Sequence, residues 1–314
     1  MAHLVAVDLG GTNLRAALFT NDAPPPVKIS KHPTPASDGV EAVIKSMITA
    51  IEDVLIDDQP PDYIGIGAPG PLDPSRGVII EAPNLPGWEN IPLAEKIRSH
   101  FKVPVILGND ANLAALGEWR HGAGHGAAHL IYLTISTGIG GGIIVNNELL
   151  LGEQGVGAEL GHVTVDPQGP VCSCGQRGHI EAMASGTALA EQAIEALEAG
   201  RKSSLETPWK AGTLTARDVG QAAQAGDQVA CDLIQRAGQL IGHYVADLTH
   251  IFNPEIVVIG GGVSQLGDLL FNPIRAGVQQ FALSPIYYQQ LEIVPAALGD
   301  DAGLIGAMVL ASMQ

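Results

Sequence analysis

Three glycine-rich turns carry the first chemical signal. In Asp8-Leu9-Gly10-Gly11-Thr12-Asn13 a carboxylate follows a short apolar run and stands beside two glycines and a hydroxyl. Glycines let backbone N–H groups approach a phosphate with no Cβ in the way. The carboxylate suits a hydrated Mg²⁺. The same residues also make an ordinary hairpin turn in which Asp and Gly serve geometry alone. Thr134-Ile135-Ser136-Thr137-Gly138-Ile139-Gly140-Gly141-Gly142 repeats the hydroxyls and glycines in the same strand-turn-strand setting, which tips the balance toward phosphate. Val258-Ile259-Gly260-Gly261-Gly262-Val263-Ser264 is a third turn, between a strand and a helix start, and permits close approach of an adenosine or phosphate group. No Gly-Lys-Ser/Thr follows these turns, so none is a Walker A loop, and the Gly-x-Gly-x-x-Gly dinucleotide spacing is missing.

Gly108-Asn109-Asp110-Ala111-Asn112 lies where a strand meets a helix. An Asp there can accept a proton from a hydroxyl as that oxygen attacks phosphorus. An adjacent Asn can donate to and accept from neighbouring hydroxyls. On local sequence alone the better reading is that Asn109 or Asp110 caps the helix. Cys172, Cys174 and His179, with His162 upstream, supply four soft or borderline ligands that suit tetrahedral Zn²⁺. The alternative is two reduced cysteines and an unliganded His179. His121-Gly122-Ala123-Gly124-His125-Gly126 reads as a flexible interdomain loop rather than a second metal site. Cys231, in an apolar helix, reads as packing.

The elements that must position these residues are legible in outline. Leu4 to Val7 and Leu14 to Phe19 read as a hairpin, Gly39 to Leu55 as a helix, and Tyr63 to Ala68 and Val103 to Leu107 as strands. Ala111 to Trp119 reads as a helix. After a glycine-rich break, Leu130 to Ile135 and Ile143 to Val145 read as strands around a glycine turn, which repeats the opening of the chain and suggests two related α/β halves. Ser185 and Thr215 read as N-caps of helices through Leu197 and Ala225, separated by a loop from Arg201 to Gly212. Asp227 to Phe252 is a long helix, Ile256 to Ile259 a buried strand, and Asp300 to Met313 an apolar helix.

Composition narrows the class. The chain has 314 residues, 46% hydrophobic and 16% charged, enough for a sizeable core or two domains. Lys plus Arg number 16 against 33 Asp plus Glu, for a net charge of -17, which repels nucleic-acid phosphates and anionic membrane surfaces. No apolar run reaches about eighteen residues, so no transmembrane helix is expected. The first residues lack the basic and apolar regions of a signal peptide. Three cysteines make no disulfide framework, and the compartment reads as cytosolic and reducing.

In this order, the three turns resemble those of the sugar kinase, Hsp70 and actin ATPase superfamily. More narrowly, the chain resembles the ROK family (repressors, open reading frames and kinases), closest to its bacterial glucokinases, along essentially its whole length. That resemblance implies an α/β, RNase H-like fold of two domains with ATP and sugar in the cleft between them. The domains would be residues 1-118, completed by the C-terminal helix 300-314, and residues 119-299, with a zinc-type insert near 161-179. Mg²⁺-ATP would lie across Asp8, Gly10, Gly11, Thr12 and Asn13, then Thr137 and Gly138, then Gly260, Gly261 and Gly262. Gly108-Asn109-Asp110-Ala111-Asn112 resembles the family's catalytic segment, which implies Asp110 as the base and Asn109 as a sugar contact. Gly157-Ala158-Glu159-Leu160-Gly161-His162 resembles its Glu-x-Gly-His element and implies Glu159 and His162 as partners of sugar hydroxyls, with Glu181 as a third; alone, these glutamates would read as solvated surface acids. Gly70 and Asn84 fall in two further matching segments as sugar-lining positions, or serve loop geometry alone. The family's Cys-x-Cys-Gly-x-x-Gly-Cys appears here as Cys172-Ser173-Cys174-Gly175-Gln176-Arg177-Gly178-His179, so a structural zinc would have His162, Cys172, Cys174 and His179 as ligands. The implied activity is ATP-dependent phosphorylation of glucose at the 6-hydroxyl in a cytoplasmic homodimer or homotetramer. The alternatives are kinases for fructose, mannose, N-acetylglucosamine or N-acetylmannosamine, or a non-catalytic sugar-binding regulator. The family's repressors carry a helix-turn-helix domain before the first motif, and the position of Asp8 leads us to expect none here. Polyphosphate as donor matches an acidic chain poorly.

Overall fold

The computed structural model describes residues 2–57, 59–82 and 85–314. The opening hairpin forms from β1 (His3–Leu9) and β2 (Asn13–Thr20), paired antiparallel from His3 opposite Thr20 to Leu9 opposite Leu14. β3 (Lys28–Pro33) extends this meander on β2. α1 (Val40–Val54) turns Val43, Ile44, Met47, Ile51 and Val54 to one face, the helical spacing of an amphipathic element. β4 (Tyr63–Ala68) then joins β1 in parallel. A small separate sheet of β5 (Leu72–Asp73), β6 (Val78–Glu81) and β7 (Glu89–Ile91) precedes α2 (Leu93–Phe101). β8 (Val105–Asn109) pairs with β4 in parallel and completes a sheet of order β3-β2-β1-β4-β8.

α3 (Asp110–His121) leads into a second sheet. Its strands are β9 (Leu130–Ile135), β10 (Ile139–Val145) and β11 (Glu148–Leu149). Helices follow: α4 (Ile180–Ala184), α5 (Gly186–Glu198), α6 (Glu206–Lys210), α7 (Ala216–Gln224) and α8 (Gln228–Phe252). β12 (Ile256–Gly260), α9 (Asp268–Phe281), β13 (Glu292–Pro295) and α10 (Ala302–Ser312) close the chain. The second sheet runs β11-β10-β9-β12-β13, strand for strand the order of the first. The repeat hinted at by two glycine hairpins is thus a repeat of topology, and the α/β, RNase H-like class is the one observed. Among the described residues, no helix is long and apolar enough to cross a membrane.

Several elements escape the apolar pattern. β3 alternates Lys28, Ser30 and His32 on a mostly exposed edge, so it carries no core signal. α9 holds Pro273 inside it, which reads as a break. α6 is one short turn within the expected loop. One boundary needs correction: β10 begins at Ile139, so Gly140, Gly141 and Gly142 lie in the strand and not in the turn. The cause is packing. A Cβ on Gly142 would come 2.5 Å from Ala115 Cβ on α3, and one on Gly141 2.5 Å from the Tyr132 carbonyl.

α3 and α10 join the two sheets. Leu113 and Leu116 pack with Leu304, Met308, Ala6 and Phe19 toward the first sheet. Ala114 and Ala115 pack with Leu130, Tyr132, Ile144 and Val258 toward the second. α10 is apolar all round because it is enclosed all round. Glycines bring the two helices into backbone contact: a Cβ on Gly306 would lie 1.7 Å from the Leu113 carbonyl, and one on Gly117 2.4 Å from that of Ala302. The stretch from His121 to Gly126, expected as a flexible loop, is instead a tied turn. Its Gly124 N–H donates to the Glu118 carbonyl (3.0 Å) and its Ala123 N–H to the Glu118 carboxylate (2.8 Å), because that carboxylate is buried beneath it.

Candidate active site

Parallel strands deliver the acidic residues to one edge. Register sets Asp8 opposite Gly67 and Gly67 opposite Gly108, with Ala68 opposite Asn109. Asp8 and the start of α3 therefore flank β4 at the carboxyl ends of the strands, where open α/β sheets bind ligands. Asn109 is the N-cap of α3: its Oδ1 accepts the N–H of Ala111 (3.0 Å) and of Asn112 (3.1 Å). The capping role weighed from sequence is thus filled by Asn109. Its Nδ2 lies 3.3 Å from where a Cβ on Gly70 would stand, so the amide's other end faces that turn. Asp110 opens the helix, its Oδ1 accepting the Ala111 N–H at 2.8 Å. Its side chain reaches solvent by area yet has protein on most sides. That burial pushes its pKa up to about 6, and the charges of Asp8 and Glu159 add to the rise. Asp110 in the first half thus feels Glu159 in the second.

Glu159 follows Ala158, whose φ of +65° is left-handed backbone that alanine adopts at a cost. Burial raises the Glu159 pKa, His162 pulls it back and Glu181 pushes it up again. Glu181 is a junction. Its Oε2 accepts the Ile139 N–H at 3.0 Å, and its Oε1 accepts the Ser173 hydroxyl at 3.0 Å and lies 3.6 Å from Cys172 Sγ. A Cβ on Gly138 would meet Glu181 Oε2 at 2.3 Å, so this glycine, expected at the phosphates, makes room for the glutamate.

His162, Cys172, Cys174 and His179 offer one ligand atom each, all within 4.8 Å of one another. His162 Nδ1 is 3.7 Å from Cys172 Sγ, and His179 Nδ1 is 3.3 Å from Cys174 Sγ. A tetrahedral Zn²⁺ site with ordinary bond lengths spaces such pairs by about 3.3–3.8 Å. The donor set fits zinc, and His179 occupies the fourth position in space as well as in sequence.

A cavity of about 870 Å³ opens beside the second sheet, lined among others by Thr137, Thr187, Leu214, Arg217, Gln221 and Gly262. Of the residues expected at the nucleotide, Thr137 and Gly262 line it. The three glycines of the third turn divide their work. A Cβ on Gly260 would strike the Tyr132 hydroxyl at 2.6 Å, and Gly261, at φ +83°, sits against the Ile135 carbonyl, whereas nothing stands within 4 Å of a Cβ on Gly262. Gly10, Gly11, Thr12 and Asn13 do not line the cavity; they sit on the first half's hairpin. There Thr34 ties the turn, its Oγ1 donating to the Gly10 carbonyl (2.7 Å) and its N–H to that of Thr12 (2.9 Å). Asn84 lies outside the described residues.

Spacing alone gave no sign of several lining residues. Thr187, Leu214, Arg217 and Gln221 belong to or flank helices whose caps were legible, but which face turns to the cavity is set by tertiary packing. Arg15 was missed as an ordinary strand residue. Its Nη2 reaches Asp8 Oδ2 at 2.9 Å and its Nη1 reaches Asp301 Oδ1 at 2.8 Å, and it also bonds the Asp300 carbonyl.

The sequence matches the family model described as ROK family over residues 4–314. It is 40% identical over 308 residues to a glucokinase of Thermotoga maritima, covering 97% of this chain and 95% of the relative. A xylose repressor of Caldicellulosiruptor bescii is 36% identical over 252 residues, which are 80% of this chain and 63% of the repressor. Among solved structures, a ROK family glucokinase from Streptomyces griseus in complex with glucose and AMPPNP is similar with a TM-score of 0.84 and 34% identity, covering 99% of this chain and 100% of that one.

Proposed function

The chain belongs to the ROK family, and from that premise we propose that it is an ATP-dependent hexose kinase, a glucokinase acting on the 6-hydroxyl of glucose. The observation that carries the reading is Asp110. It is a carboxyl at a strand-helix junction whose pKa burial lifts to about 6, with the charges of Asp8 and Glu159 adding to the rise. The glucose and AMPPNP of the similar Streptomyces griseus structure support both ligands.

The adenosine occupies the cavity beside Thr137 and Gly262, and the phosphates run toward the Gly10-Gly11-Thr12-Asn13 hairpin. Asp8 keeps Oδ2 on Arg15 and turns Oδ1, which takes no hydrogen bond among the described residues, to a hydrated Mg²⁺. Bound Mg²⁺ would offset charge on the phosphate oxygens during transfer. Asn109 Nδ2, Gly70, Glu159, His162 and Glu181 surround the sugar. His162 gives Nδ1 to the cysteine-histidine cluster and leaves Nε2 for a hydroxyl. Bound Zn²⁺ would be structural, fixing that ring's tautomer and orientation.

Asp110 takes the proton of the 6-hydroxyl as its oxygen attacks the γ-phosphorus. The new O–P bond forms, the bond from the γ-phosphorus to the β–γ bridging oxygen breaks, and ADP leaves with that electron pair. Positioning and charge supply most of the gain. Residues 1-118 with 300-314, and residues 119-299, are the two bodies that close on the substrates and exclude water.

The test is ADP release from Mg²⁺-ATP with a panel of hexoses, each beside a no-sugar control. Turnover that requires glucose is the expected result. Turnover with another hexose keeps the reaction and changes the substrate. Metal-replete protein with no sugar-dependent turnover sinks the proposal.

A further inference from the structure

Glu118 is the most enclosed carboxylate outside the site, with a side chain that is 0% exposed. It lies two turns beyond Asp110 on α3, about 12 Å along the helix. Its Oε2 accepts the N–H of Ala123 (2.8 Å) and of Ala297 (3.0 Å), and its Oε1 accepts the N–H of Leu298 (2.7 Å). No Lys or Arg pairs with it among the described residues. Burying a carboxylate without a cation is expensive, so the amides it holds matter.

Those amides lie on two segments far apart in sequence. Residues 122–129 carry the chain from α3 into the second sheet, and residues 296–301 carry it from β13 back to α10. These are the two crossings between the halves. One carboxylate therefore ties both crossings to the helix that begins at Asp110. The surroundings are built for it: a Cβ on Gly122 would stand 2.1 Å from Oε2, so only glycine fits there. Trp119, the next residue, donates its indole N–H to the Ala127 carbonyl at 2.7 Å and packs, as Ala123 and Leu298 do, against the core that holds Ala115 and Leu130.

We propose that Glu118 is a positioning residue, a hinge clamp that locks both crossings to α3 so that rotation of one half against the other on sugar binding reaches Asp110 through one rigid helix. The proposal rests on the kinase reading above. A buried glutamate that merely satisfied loop amides would support stability and leave closure and turnover of the folded protein alone. A clamp has to change both.

The experiment compares wild-type protein with Glu118→Gln, whose single carboxamide oxygen cannot accept all three N–H groups: its NH₂ opposes Leu298 in one orientation, and both Ala123 and Ala297 in the other. Glucose affinity without ATP, kcat, and the fall in radius of gyration with glucose plus AMPPNP are measured on protein shown to be folded by its circular dichroism. The clamp predicts glucose affinity within about twofold, kcat lowered about tenfold or more, and at least half of the compaction lost. Unchanged kcat or unchanged compaction overturns it. Wild-type protein that shows no sugar-dependent turnover would instead fail the kinase reading, so the two failures are distinct. If the variant does not fold, hydrogen exchange on wild type decides. The amides of Ala123, Ala297 and Leu298 should exchange at one common rate that shifts together when glucose binds, and independent rates overturn the clamp.

Discussion

A base must be unprotonated to work, so for the base we propose at Asp110 the burial that lifts its pKa to about 6 should also set where activity fails. kcat/KM for the sugar should be flat above that pH and fall about tenfold per unit below it. Asp110→Asn should remove about 10²–10⁴ of turnover, and the residue that remains should lose this pH limb. The same shift has a sign for stability. The folded state holds the Asp110 proton more tightly than the unfolded chain, whose pKa is about 3.9. The resulting stabilisation is full below that value and is lost as pH rises through about 6. Asp110→Asn should therefore unfold at a higher temperature than wild type at pH 8 and show no such gain at pH 4. A variant with normal turnover, or one with the same gain at both pH values, would remove Asp110 from its role.

Glycines identical in the sequence do different work in neighbouring elements. Gly142 sits inside β10 under α3, with 2.5 Å between its would-be Cβ and that of Ala115. Gly262 opens onto the cavity with nothing within 4 Å. Gly142→Ala should therefore cost about 1–3 kcal/mol in denaturant unfolding, since strand and helix must part. Gly262→Ala should stay within about 0.5 kcal/mol and raise KM for MgATP instead. Equal stability losses in the two variants would contradict this division. The contrast also marks how far the sequence carries. Elements with apolar periodicity, such as α1, β4 and the long α8, are legible because burial repeats along them. β3 and α9 are not, one being polar at an edge and the other holding Pro273. Asp8 and Asp110 stand out in the sequence because each lies at a strand end near glycines, but local sequence favours a helix cap at Asn109 or Asp110, and the role proposed for Asp110 comes from the family resemblance. Arg15 and Glu118 do not stand out, since each joins a near partner to a distant one, Asp301 and Leu298, which stand 286 and 180 residues away along the chain. Such pairings exist only once two halves of like topology have docked through α3 and α10.

At the scale of the whole molecule, charge works against the nucleotide. The chain carries -17, and Asp8, Asp110 and Glu159 share a field in the candidate site, where Arg15 is already divided between Asp8 and Asp301. MgATP is an anion and glucose is neutral, so only the first should sense this field. The Debye length falls from about 30 Å at 0.01 M salt to about 8 Å at 0.15 M. Repulsion between the approaching anion and the whole protein is mostly screened at the higher value, while contacts inside the site are screened much less. kcat/KM for MgATP should therefore rise roughly two- to fivefold between these salt concentrations. kcat/KM for glucose, measured at saturating MgATP, should stay nearly constant over the same range. A steady fall for MgATP would mean that Arg15 and the backbone amides of the glycine turns make the mouth of the site attractive in spite of the global charge. The two substrates act as each other's control, because a general effect of salt on folding or on the assay would move both together.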